Sequence, residues 1–255
     1  MSGGLVAKLR QPLRQKADFS EVLAGPWTTL SARELAQRPV YLERDGHACL
    51  GDLFDLDGQP QGSIRFTGEL GQAERLGAGL VEGEVIVEGS VGGEAGLAQA
   101  GGRMDIGGDA GPRAGATPPG FKRGMTGGEL IVRGSAGAEA GAAMRRGLLV
   151  ILQAAGERTG LGMIAGTVVV FGPAGADTGL WSKRGSVVAL GRITPPPTYS
   201  YACTFQPVHL RLLFARLRDN YGLPVRPRHL NGLYRRYSGD MAELGKGEIL
   251  AWTAK

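Results

Sequence analysis

The sequence predicts a mainly β protein built around a parallel β-helix, a glycine-rich β-solenoid with coils of about 19 residues. Glycine makes up 44 of the 255 residues, about a sixth of the chain, where ~7% is usual. Apolar residues still reach 42%, so the chain is able to bury a core. Three successive segments also align at a spacing of 19 residues without a gap, and a fixed period of this kind indicates a repeat architecture.

The aligned segments are 129–147, 148–166 and 167–185. Each begins with an apolar triplet and continues with glycines spaced three, four and six residues apart, and Gln153 is the one residue that breaks this pattern. We expect each triplet to form a short strand that pairs in parallel with the equivalent strand of the next coil, about 4.8 Å away. An earlier coil carries seven extra residues around Pro118, which predicts a loop on a stack of seven strands.

Both faces of the predicted strands are apolar, because side chains alternate along a strand. One parity contains Leu130, Val132, Leu149, Ile151, Val168 and Val170, and the other contains Ile86, Ile131, Val150, Val169 and Val188. One set fills the interior of the solenoid, so the other set needs a cover. Two covers remain open at this point, the chain's own C-terminal segment and a partner protein.

The flanking sequences divide the chain into an α+β cap at 1–62, the β-helix at 63–193 and a helical segment at 194–255. In the cap we expect a strand over Leu5–Leu9 and a hairpin around Asp45 and Gly46. Ser31, followed three residues later by a glutamate, predicts a helix start with a capping box.

After the repeats we expect a helix over about 207–221, with Gly222 as its C-cap. Its apolar face is formed by Leu210, Leu213, Phe214 and Leu217. These positions follow the i, i+3, i+4, i+7 pattern of a docked helix. The face is expected to pack on the solenoid.

The sequence offers little catalytic chemistry, and we predict no catalytic residue, no metal site and no cofactor bound by this chain. Its histidines are His47, His209 and His229, and none stands in a metal-binding motif. His47 and Cys49 share one face of a predicted strand, but zinc usually needs three or four protein ligands. Cys49 and Cys203 are expected to be free thiols, mostly buried.

The N-terminus has no signal-like apolar run and no segment approaches the ~20 apolar residues of a membrane span, so we expect a cytoplasmic protein without membrane contact. The net charge of +5 comes from scattered arginines, and no groove-reading motif for nucleic acid occurs.

Two sets of charged residues recur with the repeat. Glu94, Glu139, Glu157 and Asp177 follow glycines at coil corners, and we interpret them as structural side chains that bond turn amides. Arg145, Arg146, Lys183 and Arg184 occupy equivalent positions two coils apart, about 10 Å from each other. For this basic column two interpretations remain open: a solvated face, or contact with an anionic ligand or an acidic partner surface.

The glycine-corner coils, especially GDAGPRAG followed by GFKRGMTGGELIVRGSAGAEAG, resemble the repeat domain of the C-subunit family of formylmethanofuran dehydrogenase. Within it the sequence is most similar to the C subunit of the bacterial formyltransferase/hydrolase complex, and it is more distantly similar to the C-terminal β-helix of glutamate synthase. The segments GDLFDLDG (51–58) and YSGDMAELGKGEIL (237–250) resemble the C subunits only, so the resemblance spans nearly the whole chain.

The resemblance implies a non-catalytic scaffold subunit in one-carbon metabolism. In such a complex a formyl group passes from formyl-tetrahydromethanopterin to a methanofuran-type carrier and is hydrolysed to formate. It implies a hetero-oligomer in which partners supply the formyltransferase site, the metal-dependent hydrolase site and a dehydrogenase-like subunit. The carriers bear a glutamate tail, so the basic column, with Lys122 and Arg123 of the inserted loop, is a candidate contact for that tail or for a partner.

Two other functions remain open. One is the C subunit of a molybdenum or tungsten formylmethanofuran dehydrogenase; the composition, rich in Ala, Arg and Gly, favours the bacterial hydrolytic complex instead. The other is a stand-alone β-helix enzyme or binding module, which would need an aromatic or acidic cleft. Aromatic residues make up only 6% of the chain, which argues against such a cleft.

Overall fold

A computed structural model describes residues 4–44 and 46–253. The protein is mainly β, with few helices. The helices are a 3₁₀ turn at Trp27–Thr29 and α1 (Ala32–Ala36), α2 (Leu50–Leu53), α3 (Val208–Tyr221) and α4 (Pro227–Leu230). In the described ranges, no helix combines the length and the apolar character needed to cross a bilayer.

The strands are β1 (Leu5–Leu9), β2 (Ala17–Asp18), β3 (Pro39–Leu42), β4 (Gly46–Cys49), β5 (Phe54–Asp57), β6 (Ser63–Thr67), β7 (Ala73–Glu74), β8 (Glu84–Val87), β9 (Arg103–Ile106), β10 (Glu129–Val132), β11 (Leu148–Ile151), β12 (Thr167–Val170), β13 (Arg184–Ala189), β14 (Ser200–Phe205), β15 (Leu233–Gly239) and β16 (Lys246–Thr253). Most of them form one twelve-stranded mixed sheet in the order β14-β15-β16-β13-β12-β11-β10-β9-β8-β6-β1-β5. A small sheet, β4-β3-β2-β7, lies beside its N-terminal end.

The predicted repeat sets the register of the large sheet. Leu130 pairs with Leu149, Leu149 with Val168 and Val168 with Val187, each time one 19-residue repeat along the chain. The seven predicted triplets are therefore strands, paired in parallel from β6 to β13. A second parallel ladder of single bridges links one apolar residue of each repeat to the next, as in Ala136 to Ala155. Each repeat is thus bonded to its neighbour at two places.

The two strand parities lie in two separate apolar layers, as predicted. The first parity, with Leu149 and Val168, packs in the larger core. The second parity packs in another cluster, where Val150 and Val169 meet the side chains of α3, Phe214 among them. The chain's own C-terminal segment therefore covers this outer ladder along β10 to β13. Ile86 is the exception, since it lies two strands before β10 and stays half-buried.

Helix α3 begins and ends close to the predicted bounds. Leu210, Phe214 and Leu217 are buried, and Gly222 closes the helix with a left-handed φ of 62°. At the C-terminal end of the sheet, β16 pairs in parallel with β13, and β15 and β14 are added next to it in antiparallel order. The C-terminal segment thus extends the sheet and also covers one of its faces.

The N-terminal segment extends the opposite end of the sheet. Strand β1 pairs in parallel with β6, and β5 adds an antiparallel edge. The capping box that Ser31 predicts is present at the start of α1. The predicted hairpin is formed by β3 and β4, which are antiparallel, although Asp45 of its turn lies outside the described residues.

The prediction of mostly buried thiols is wrong. Both cysteines are free, as expected, but Cys49 is only half-buried and Cys203 is exposed. Cys203 lies on β14, the last strand of the sheet, where no further layer covers the side chains. Cysteine is usually among the most buried residue types, and an edge position overrides that preference here.

Candidate functional site

The structure places the basic column on one corner of the repeat stack. The Arg145 N–H donates to the Met125 carbonyl at 2.8 Å, and two repeats further along the chain the Lys183 N–H donates to the Met163 carbonyl at 2.8 Å. The same register stacks Arg146 and Arg184 in the adjoining column. Parallel strands lie about 4.8 Å apart, so the two pairs are about 10 Å from each other.

Three of the four side chains, those of Arg146, Lys183 and Arg184, are exposed, and Arg145 is half-buried. Within the described part of the chain none of the four has a hydrogen-bond or ion-pair partner. The column is therefore a set of available cations on a rigid backbone. This arrangement suits carboxylates or another anion from outside the chain.

Further cations extend this corner at both ends. Arg184 pairs in register with Lys246 on β16, so the two residues are direct strand neighbours. The inserted loop carries exposed Lys122 and Arg123, and the next residue, Gly124, donates its N–H to the Ala143 carbonyl at 2.9 Å. The loop thus reaches the repeat that bears Arg145.

A shallow groove runs between this corner and α3, past Leu148, Thr167 and Leu213. Its carboxylate, Glu129, is neutralised within the chain by Arg216 and accepts a hydrogen bond from the Tyr221 hydroxyl. Burial, with the neighbouring Glu129 carboxylate, raises the pKa of Tyr221, so the phenol stays a donor at neutral pH. Glu129 is consequently committed to holding α3 in place.

The acidic corner residues have a different arrangement from the one predicted. Arginines and glutamates alternate in one column, with links of 2.7 Å from Arg75 to Glu94, 3.1 Å from Glu94 to Arg113, 3.0 Å from Arg113 to Glu139 and 3.3 Å from Glu139 to Arg158. Burial alone would raise the pKa of Glu94, but its hydrogen bonds to Arg75 and Arg113 outweigh burial and lower it. The column is an ion-pair ladder that joins successive repeats.

The prediction of bonds to turn amides is therefore wrong for Glu94 and Glu139, whose carboxylates bind arginines. Glu157 is also one position out of register, because Arg158 is the residue that stacks above Glu139 and below Asp177. These corner residues share left-handed backbone, with φ of 59° at Glu139, 56° at Arg158 and 55° at Asp177. The alternation is visible in the sequence once the 19-residue offset is applied to basic residues as well as to acidic ones.

Metal-ligating side chains do not cluster in the described ranges, where no three His, Cys, Asp or Glu residues lie close enough to hold an ion. His47 and His209 are exposed and stand apart. His229 is buried, which lowers its pKa together with the charges of Arg228 and Arg226. Its ring packs edge-on against Phe171 and Trp252, so it belongs to the outer apolar layer.

Comparison with solved structures gives an informative match. No protein-family model matches the chain, and no curated protein does. A chain in the crystal structure of the formyltransferase/hydrolase complex (FhcABCD) from Methylorubrum extorquens, in complex with methylofuran, is 31% identical. The match has a TM-score of 0.77 and covers 98% of this chain and 100% of the other. With the coil pattern and both flanking segments, this similarity shows that the chain belongs to the C-subunit family of formylmethanofuran dehydrogenase.

Proposed function

We propose that this chain is a non-catalytic scaffold subunit of a formyltransferase/hydrolase complex. That complex would move a formyl group from formyl-tetrahydromethanopterin to a methanofuran-type carrier and hydrolyse it to formate in partner subunits. The observation that carries the proposal is the similarity to a chain of such a complex over the whole length of both chains. A subunit of a molybdenum or tungsten dehydrogenase is the second candidate, and the similarity to the hydrolytic complex argues against it.

The scaffold would be a parallel β-helix at 63–193, closed by the segments 1–62 and 194–255. Two parallel ladders per repeat and corner glycines that leave no room for a Cβ support this architecture. At each end the flanking segment adds a parallel strand, β1 or β16, and then antiparallel strands. Such ends protect a repeat stack from uncontrolled pairing with other chains.

A scaffold role predicts that the isolated chain has no formyltransferase, hydrolase or dehydrogenase activity. The reason is that the partly buried carboxylates of the ion-pair ladder and of Glu129 are paired with arginines, so they are not available as catalytic groups. The measurement is turnover by purified, metal-analysed protein, with the assembled complex as the positive control. Stoichiometric metal together with turnover by the chain alone would contradict the scaffold role.

We further propose that Arg145, Arg146, Lys183 and Arg184 hold carboxylates, either those of the carrier's glutamate tail or those of a partner protein. Arg146, Lys183 and Arg184 are exposed, and none of the four side chains has a partner within the described ranges, which supports this. Exposed cations contribute weakly and are screened by salt, so the contact steers a ligand and does not anchor it. Lys122 and Arg123 stand where they extend the same contact.

The two pairs are best changed separately in the intact complex, as Arg145→Ser with Arg146→Ser and as Lys183→Ser with Arg184→Ser. If a pair holds the tail, a carrier with a long glutamate tail shows a several-fold higher KM at low salt, and a short-tailed carrier does not. If a pair holds a partner, that protein dissociates from the complex more readily, and the rates with both carriers fall equally. Unchanged rates with an intact complex would show that the basic column is a solvated face without a binding role.

A further inference from the structure

Three large apolar side chains are exposed together at the C-terminal end of the basic column. Trp181 is 54% exposed, Met241 56% and Leu244 55%. We refer to these three residues as the Trp181 patch. The Trp181 N–H donates to the Asp240 carboxylate at 2.7 Å, which brings the loop of Met241 and Leu244 against the Trp181 corner. Exposed apolar groups that lie together mark interaction sites more often than scattered ones do.

The patch is held in place by buried contacts. Asp240 is fully buried, and its other carboxylate oxygen accepts the Ala242 N–H at 2.9 Å. The Gly245 N–H returns to the Asp240 carbonyl at 2.9 Å, which closes the loop. Asp240 thus fixes both the Trp181 corner and the loop beside it. The chain presents these apolar side chains on an ordered surface.

Trp181 also departs from the pattern of its own column. The equivalent residues of three other repeats, Ala98, Ala143 and Gly162, are small, and these three share a left-handed backbone. Trp181 keeps that conformation, with φ of 60°, although a bulky residue is disfavoured there. Because Trp181 is exposed, packing within the chain does little to offset the cost of this backbone conformation. We expect contact with another molecule to offset that cost.

The charges around the patch define the partner. Lys183, Arg184 and Lys246 adjoin it and have no ion-pair partner in the part of the chain that the structure describes. Glu243 is the one carboxylate that the loop itself exposes. The net charge of this rim is positive, so a second copy of the same surface would be repelled. An apolar surface with carboxylates at its border would be attracted.

We infer that the Trp181 patch is the docking site for another protein of the complex, whose contact surface has an apolar centre bordered by carboxylates. The inference rests on the proposed function, since it requires that the chain assembles with partner subunits. It assigns Lys183 and Arg184 to protein contact and leaves Arg145 and Arg146 available for a carrier. A small polyanion would use the cations but has no need of the exposed tryptophan.

The test uses the complex purified from its native cell through a tag on this chain. Trp181→Ser with Met241→Ser is compared with the matched control Val208→Ser with Leu212→Ser, two α3 residues that are 70% and 79% exposed. Mass photometry on dilution gives the dissociation constant of each complex, and thermal unfolding of each variant alone checks its fold. We expect the first variant to keep its unfolding temperature and to bind a partner about 30-fold more weakly, as for a hot-spot tryptophan. The control should bind normally.

A second pair of substitutions separates the apolar and basic contributions to the binding of the partner. Lys183→Glu with Lys246→Glu should weaken the same association and reduce its dependence on salt. A Trp181 variant that retains every partner at the wild-type dissociation constant would overturn the docking site and leave the proposed function unaffected. If only the α3 control variant loses a partner, the docking site lies on α3, and that result would also overturn the inference. If the wild-type chain recovers no partner, the proposed function fails and the docking site fails with it.

Discussion

Val169→Asp should lower the free energy of unfolding by about 3 to 5 kcal/mol, because it leaves an unpaired carboxylate in an apolar layer. Val169 is fully buried between its strand neighbours Val150 and Val188, and the layer above it contains Phe214 of α3. Burying a charge without a partner is among the few substitutions with effects of this size. Urea unfolding followed by far-ultraviolet circular dichroism measures the loss.

Val208→Asp is the matched control, since Val208 belongs to α3 but is 70% exposed. It should leave the unfolding midpoint unchanged. Trp252 lies in the C-terminal layer, so its fluorescence reports whether α3 and β16 detach before the repeats unfold. A Val169→Asp protein with wild-type stability would show that α3 does not cover the outer ladder in solution.

Gly156→Ala should cost about 1 to 3 kcal/mol, as overpacking in a close-packed interior usually does. A Cβ at this position would lie 2.6 Å from the Ala138 nitrogen, which belongs to the backbone of the preceding repeat. Backbone atoms cannot turn aside as a flexible side chain does, so the two repeats must separate locally. The loss is measured by the same urea titration.

The control for this substitution occupies the same column of the repeat. Gly71 is the first-repeat equivalent of Gly92, Gly137 and Gly156, so no repeat precedes it, and a Cβ there meets nothing within 4 Å. Gly71→Ala should be neutral or stabilise by up to about 1 kcal/mol, since alanine restricts the unfolded chain. Equal losses at both positions would mean that the close stacking of repeats is not the reason why glycine is needed at Gly156.

Much of the fold follows from the 19-residue period alone. The period predicts the strands, their parallel register and the loop around Pro118, because equivalent residues of a repeat occupy equivalent places. The i, i+3, i+4, i+7 pattern likewise predicts α3, whose Leu210 and Phe214 are buried. The sequence left open what covers Val150 and Val169, since an apolar face shows that a cover exists and not which chain supplies it.

The corner chemistry was harder to predict. Glu94 and Glu139 occupy expected corners, but their partners Arg75, Arg113 and Arg158 come from other repeats and depend on side-chain reach. The Trp181 patch was not predicted at all. Its apolar residues come from two segments about 60 positions apart in sequence, and the pairing of β13 with β16 and the Asp240 contact bring them together.

Above all, we propose that this chain works as a subunit without its own active site. The decisive measurement is the protein content and activity of material purified from the native cell through a tag on this chain. We predict that formyltransferase and metal-dependent hydrolase subunits are recovered in fixed proportion, and that activity is lost when they are stripped away. Recovery of the chain alone, active and free of other subunits, would contradict its role as a non-catalytic subunit.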